Sequence, residues 1–284
     1  YNKITLSINK MSKLNIIAEI ANSHNGNPNN IINLIKGFST TNYENLDFKF
    51  QIISASGLSV KNYKWSKVYK KLEISKDNWK KIINYTSKKG KIWIDIFDEY
   101  GLKILEENFQ NIYGIKLQSS VLSNFIVLNK LNNYKNFNKK IIINFSGIDI
   151  KDLKNLIKSN IIFRKKKNII LQYGFQSYPT RLEDLNIEKL SKINRLIPGY
   201  DLSFADHSSY LEPISKIIPI FLQFKKIKYL EKHVCISRKK SKYDYQSALE
   251  LNELKEMISN TENFEILKKY KKDNISEMKY LKNS

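Results

Sequence analysis

The amino-acid sequence predicts a single-domain α/β fold, a (β/α)8 TIM barrel, and three observations carry that expectation. Short apolar runs alternate with stretches of helical period, the pair recurs eight times, and no linker rich in Pro, Gly or Ser divides the 284 residues. Alternation of this kind implies parallel strands joined by helical crossovers. Eight units in about 255 residues match the roughly 250 that a closed barrel takes. An open doubly wound sheet is the competing arrangement, but no glycine-rich dinucleotide fingerprint follows any of the runs.

The expected strands are 15–20, 48–51, 92–97, 114–117, 141–144, 168–171, 200–203 and 229–233. They are short and nearly all apolar, as parallel strands covered on both faces must be. Between them, Ile31, Leu34, Ile35 and Phe38 fall on one helical face behind Asn27 and Pro28, a cap and a first helical position. Trp79, Ile82, Ile83 and Thr86 follow a cap at Ser75. Ile150, Leu153, Leu156 and Ile157 follow Asp149, and Ile214, Ile217, Ile218 and Phe221 follow Pro213. Leu251, Leu254, Met257 and Ile258 form the stripe of a last helix. Segments 52–74 and 234–249 show neither period, and long irregular loops are often functional.

Composition narrows the class. A hydrophobic fraction of 42% with 12% aromatic residues builds a sizeable core and excludes disorder as the main state. No apolar run reaches the roughly 18 residues of a membrane-spanning helix. Cys235 is the sole cysteine, so no disulfide framework exists. The expectation is a soluble, cytoplasmic protein without a membrane partner. The net charge of +22 raises the question of a polyanion. Only Arg164, Arg181, Arg195 and Arg238 among the 49 basic residues are arginine, however, and nucleic-acid readers rely on arginine forks. The lysines are scattered and accompany an excess of Asn and Ile, as an AT-rich coding sequence would produce. No nucleic-acid partner is expected, and the run 164–167 reads as a solvated loop. Met11 reads as the natural start, which makes 1–10 an N-terminal arm or upstream sequence, 11–270 the barrel and 271–284 a tail.

In such barrels the chemistry sits at the carboxyl ends of the strands. Those positions carry Glu19, Lys49, Gln51, Asp95, Lys116, Asn144, Gln172, Asp206, His207, Glu231 and His233. The only three histidines, His24, His207 and His233, all follow or close strands one, seven and eight, which are neighbours in a closed barrel. Clustered imidazoles with carboxylates nearby suit a divalent ion such as Mn2+, Fe2+ or Zn2+, with Glu231 as an outer carboxylate or third ligand. Lys49 and Lys116, pointing into one mouth, suit an anionic substrate. Either could instead serve a Schiff-base aldolase, and a non-catalytic sugar- or polyanion-binding barrel is the third alternative.

At these residues the chain resembles the sialic acid synthase family, here a divergent N-acetylneuraminate synthase-like barrel. IAEIANSHNG at 17–26 is similar to the family's opening strand and loop, and FKFQ at 48–51 to its second strand. ADHSS at 205–209 and EKH at 231–233 resemble its last two strand ends, and 244–257 its acidic loop and final helix. The resemblance implies a transferase that condenses phosphoenolpyruvate with an N-acyl hexose of the N-acetylmannosamine kind. The product would be a nine-carbon 2-keto sugar acid, with phosphate released. It further implies that His207 and His233 hold a divalent metal, Mn2+ first among them. Glu19 and Glu231 would be catalytic, Lys49, Lys116 and Ser119 would contact phosphoenolpyruvate, and Gln51, Tyr178 and Asp244 the sugar.

The departures cluster in the family's phosphate cradle. Asp95, Phe145 and Ala205 stand where hydroxyls are usual, Gln176 where Asn is common, and Val121 where a Glu often meets the sugar. The family's C-terminal antifreeze-like domain, which covers the neighbour's mouth in a swapped dimer, has no counterpart in these residues. A monomer or weak homodimer is the corresponding expectation.

Overall fold

The structure is a computed structural model that describes residues 13–267. The expected arm 1–10, the tail 271–284 and the reading of Met11 lie outside the described residues. Eight parallel strands close on themselves in sequence order: β1 (Asn15–Glu19), β2 (Leu46–Ile52), β3 (Ile92–Ile96), β4 (Gly114–Leu117), β5 (Lys140–Asn144), β6 (Ile169–Tyr173), β7 (Asp201–Asp206) and β8 (Tyr229–His233). Each coincides with an expected strand. β6 and β7 run further than the apolar pattern because Gln172 and Ser203 point into the barrel, where their polarity breaks the run without ending the strand.

Residues two apart on a strand share a face, and this builds the interior in storeys. Ile17, Trp93, Ile142, Ile170 and Tyr229 meet as an apolar plug, with Tyr113 packed against it. The Trp93 ring lies edge-on to Tyr113 and Tyr229, at centroid distances of 5.1 and 6.0 Å. Gly114 makes room for that indole, since a Cβ there would come within 2.3 Å of it. Two residues further along their strands come Glu19, Asp95, Lys116, Asn144, Gln172 and Glu231, all buried and all polar. The plug thus forms a floor on which a charged storey rests.

The helices follow their sequence patterns with two exceptions. Pro28–Phe38 buries Ile31, Leu34, Ile35 and Phe38, and the Asn27 side chain accepts the Asn29 N–H. Lys76–Thr86 buries Trp79, Ile82, Ile83 and Thr86. Ile150–Ser159 begins at Asp149, whose carboxylate accepts from Lys151 N–H, and buries Leu153. Leu251–Leu267 buries Leu254, Met257 and Ile258. The helix expected from Pro213 is split into a 3-10 turn, Pro213–Lys216, and a helix, Ile218–Phe224. Pro219 is the cause: it suits the first turn of a helix, not the interior. The stripe shifts with it, so Ile218 and Leu222 are buried while Ile217 and Phe221 are exposed. Segment 52–74 is not wholly irregular either, because it holds the short helices Ala55–Leu58 and Ser66–Leu72. Of the second only Leu72 is buried, so no apolar period marks it. Run 164–167 is exposed, as expected of a solvated loop.

Beneath the floor, Asp47 accepts a hydrogen bond from Trp93 Nε1 at 2.8 Å and is nearly fully buried. Burial raises its carboxyl from the ordinary 3.8 to about 6. The folded state then holds a proton that the unfolded chain releases, so stability falls as pH rises from about 4 through about 6. Asp47→Asn keeps an acceptor for the indole and removes the titration. Its chemical denaturation curve should match the parent's near pH 4 and gain about 2–3 kcal/mol by pH 7. A difference between the two chains that is constant across that window would contradict the assignment.

Candidate active site

The charged storey opens toward the carboxyl ends of the strands. Lys49 of β2 lies at its centre with its side chain wholly buried, ion-paired to Glu19 of β1, to Asp95 of β3 at 2.6 Å and to Glu231 of β8 at 3.4 Å. Lys116 of β4 reaches across the barrel to Glu231 at 2.6 Å. Gln172 of β6 donates from Nε2 to Glu231 Oε2 at 3.0 Å and to Ser203 Oγ of β7 at 2.9 Å. Asn144 of β5 accepts the Ser146 N–H at 2.9 Å. Every strand of the barrel contributes a polar side chain to this network or its edge.

Its electrostatics are set by burial against pairing. Burial alone would discharge Lys49, but Asp95, Glu19 and Glu231 outweigh it and hold the ammonium well above its usual range. Burial works against the Glu231 carboxylate, yet Lys116 and Lys49 keep it below the usual carboxylate range. Glu19 goes the other way. Burial dominates and raises it to about 8, despite Lys49 beside it. Glu19 is therefore poised to take up a proton near neutral pH, in contrast to Glu231.

Above the storey stand two imidazoles. His207 follows β7 and His233 closes β8, with ring centroids 5.2 Å apart and planes at 74°. His207 Nδ1–H donates to the Phe175 carbonyl at 2.8 Å, which leaves its Nε2 as a lone-pair donor. His233 Nδ1 is buried without a hydrogen-bond partner among the described residues. Burial drives both rings neutral, His207 to about 4 and His233 well below its usual value. The Tyr178 ring packs on both at 4.5 and 5.4 Å, and its hydroxyl donates to Gln176 Oε1 at 2.9 Å. Two neutral imidazoles, one of them oriented by a backbone carbonyl, fit a divalent cation. Among the described residues no third His, Cys, Asp or Glu completes a cluster of metal geometry.

A second polar group lines the rim. Asn22 donates from its backbone N–H and from Nδ2 to Asp244 Oδ2, each at 3.0 Å, and from Nδ2 to Gln51 Oε1 at 3.3 Å. Loops after β1 and β8 and the end of β2 are joined there. Ser119 stands half-buried where the turn Ser119–Val121 leaves β4.

The structure thus brings together Glu19, Lys49, Lys116 and Glu231 in the storey, His207 and His233 above it with Tyr178 packed on them, and Gln51 and Asp244 at the rim. Ser119 stands just past the end of β4 without a hydrogen bond to any of them. Several expectations need correction. His24 does not join the other two histidines: its Nδ1 accepts the Gly26 N–H at 2.9 Å and it shapes the turn after β1. Both oxygens of Glu231 are engaged, one by lysines and the other by Gln172. Asp206 turns to the outer wall and pairs with Lys232 at 2.7 Å, both side chains wholly buried. Phe145 likewise faces outward, 5.8 Å from the Tyr173 ring, and Ser146 beside it presents a hydroxyl bonded to Gly174. Sequence reasoning missed Gln118, whose Nε2 lies 3.4 Å from Asp95 Oδ2, although its place two residues after Lys116 puts it on the inner face. It also missed Asn22 and Lys232. Asn22 sits inside the opening motif, whereas nothing local marks Lys232.

A family model described as the NeuB family matches residues 41–273. Human N-acetylneuraminate-9-phosphate synthase is 24% identical over 255 residues, 86% of this chain and 68% of the human protein. An N-acetylneuraminic acid (sialic acid) synthetase from Leptospira borgpetersenii, solved in complex with citrate, superposes with a TM-score of 0.78 at 21% identity, covering 96% of this chain and 91% of that one. A spore coat polysaccharide biosynthesis protein from Bacillus subtilis superposes with a TM-score of 0.73 at 21% identity, covering 90% of this chain and 69% of the other. At these identities the superpositions speak for the fold.

Lys49→Met should strand Glu19 and Asp95 in a dry interior, while Glu231 keeps Lys116. Breaking a buried ion cluster in this way costs about 3–5 kcal/mol, and the loss should shrink as pH falls and the carboxylates take up protons. Denaturation at about pH 5 and pH 8 reads both effects, and an equal loss at the two pH values would rule out the ion cluster as its cause.

Proposed function

The chain belongs to the NeuB family, and from that premise we propose that its mouth condenses phosphoenolpyruvate with the aldehyde of an N-acyl hexose to give a 2-keto sugar acid and phosphate. The observation that carries this reading is the convergence of Lys49, Lys116 and Glu19 beneath two neutral imidazoles. An enolpyruvyl donor needs cationic groups for its carboxylate and phosphate, and Lys49 and Lys116 are the ammonium groups at the floor. Its methylene carbon attacks the aldehyde carbon, water adds at the carbon bearing the phosphate, and phosphate leaves with cleavage of its C–O bond.

The aldehyde oxygen gains negative charge as the carbon–carbon bond forms, and it needs a proton. Glu19, raised to about 8 by burial, is a carboxyl able to take up and pass on a proton near neutral pH, which suits a general acid. Glu231, fixed by Lys116 and Gln172, positions Lys116 and balances its charge. Gln51, Asn22 and Asp244 form a hydrogen-bonding rim for an open-chain sugar, and Tyr178 supplies an apolar ring face beside the imidazoles. His207 and His233 would hold a divalent cation, Mn2+ first, whose chemistry is polarisation of a carbonyl oxygen as a Lewis acid.

The geometry disfavours a Schiff base on Lys49. A nucleophilic lysine must be neutral, and three carboxylates keep this one charged. Borohydride with pyruvate should accordingly leave no adduct on Lys49.

Mixing the purified protein with Mn2+, phosphoenolpyruvate and a panel of N-acyl hexoses should release phosphate with at least one acceptor. His207→Ala and His233→Ala should lose Mn2+ binding by calorimetry and phosphate release together, with melting temperatures close to the parent's. Silence across the panel with Mn2+ bound would overturn the synthase reading, and unchanged Mn2+ affinity in both variants would overturn the imidazole pair.

A further inference from the structure

Asp95 is wholly buried with its side chain inside the barrel. Its Oδ2 lies 2.6 Å from Lys49 Nζ and 3.4 Å from Gln118 Nε2. Glu19 and Glu231 meet the same ammonium, so three carboxylates surround a group that can donate only three hydrogen bonds. An anion arriving at Lys49 from solvent finds that charge already matched. It also finds a carboxylate next to it, in a dry site where like charges repel strongly.

Apart from Asn144 Nδ2, a donor unpartnered among the described residues, the unpartnered polar atoms of the storey ask for something else. Asp95 Oδ1, Gln118 Oε1 and Gln172 Oε1 are buried acceptors without a hydrogen-bond partner among the described residues. The two amides cannot be turned round to offer donors, because the nitrogen of each faces a carboxylate, Asp95 for Gln118 and Glu231 for Gln172. Buried acceptors of this kind are satisfied by hydroxyl or N–H groups, which phosphate and carboxylate dianions lack.

We infer that Asp95 is a specificity-determining residue that competes with the anionic co-substrate for Lys49 and, with Gln118 beside it, turns this part of the mouth toward hydroxyl donors. A phosphate-bearing ligand then reaches Lys49 by exchange, with the ammonium leaving Asp95, and Asp95 is left to accept from a sugar hydroxyl. The inference rests on the reading of the mouth as a sugar-acid synthase site, but its test is a binding measurement that needs no turnover.

Calorimetric titration of the full chain with inorganic phosphate and with phosphoenolpyruvate reads the exchange directly. Asp95→Asn and Asp95→Ser should each tighten both ligands by about tenfold or more, as expected when a close like charge is removed. Unchanged or weaker binding in a variant with a cooperative melt would overturn the inference. Should neither variant fold, parent crystals soaked in phosphate decide the matter. Phosphate on Lys49 with Asp95 parted from it beyond 4 Å supports exchange. Phosphate there with the pair intact, or no phosphate on Lys49, refutes it. Tighter binding without turnover in any protein would keep the role of Asp95 and remove the synthase reading, whereas turnover by the parent with unaltered binding in the variants would do the reverse.

Discussion

Everything in the mouth depends on one buried ammonium. Lys49 is wholly enclosed, and burying a lone charge costs far more than a domain of this size can spare. It is tolerated because Glu19, Asp95 and Glu231 arrive from three other strands to meet it. That requirement ties β1, β2, β3 and β8 to one register, since a slip of one residue would send each charged group through the wall of the barrel. The apolar plug of Ile17, Trp93, Ile142, Ile170 and Tyr229 fills the storey below and keeps water from the underside. The ion cluster thus sits at the level at which the strands open outward, above the plug and Asp47.

The loops inherit their positions from a second buried pair on the opposite side of the wall. Lys232 lies between Glu231 and His233 in sequence but faces outward, where it binds Asp206 and the Ser208 carbonyl. Asp206 in turn accepts the Ser208 N–H at 2.8 Å. The residues on either side of His207 are therefore clamped to the strand that carries His233. This accounts for two imidazoles held 5.2 Å apart, one just after β7 and one at the end of β8, without any direct bond between them. On the other side of the rim, Asp244 has a left-handed backbone, φ 56°, and receives both donors of Asn22. One loop tip is thereby fixed against another.

What could be read from the chain follows from which forces are local. The eight strands were legible because a strand covered on both faces must be apolar, and the helices at Pro28–Phe38 and Lys76–Thr86 because their buried faces repeat every three or four residues. The phase after Pro213 was not, since Pro219 shifts the helix start and the apolar residues fit either face. At the site, strand-end polar residues stood out against an apolar background, so Lys49, Lys116 and Glu231 were visible. Which way a strand-end residue faces takes the two-residue alternation as well as polarity: Phe145 is one residue from the inward Asn144 and Asp206 three from the inward Ser203, so both lie in the wall and not in the mouth. His24 illustrates the same limit: proximity to a strand end in sequence cannot separate a turn acceptor from a member of the mouth.

The overall charge and the charge of the site obey different rules. A net +22 arises from lysines spread over the surface, where each is solvated and owes nothing to its neighbours. Among the described residues the three lysines that are wholly buried, Lys49, Lys116 and Lys232, each have a carboxylate partner. Lys49 and Lys116 are met by Glu19, Asp95 and Glu231, so the floor of the mouth carries no excess positive charge inside a strongly positive protein. The outer field draws small anions toward the protein without choosing among them, since a long-range potential responds to charge and not to shape. Choice is left to the floor, where an anion must compete with Asp95 and a hydroxyl need not. Discrimination between ligands therefore resides in a few buried oxygens and not in the many surface lysines, and a change of one charge at that level alters it more than many changes outside.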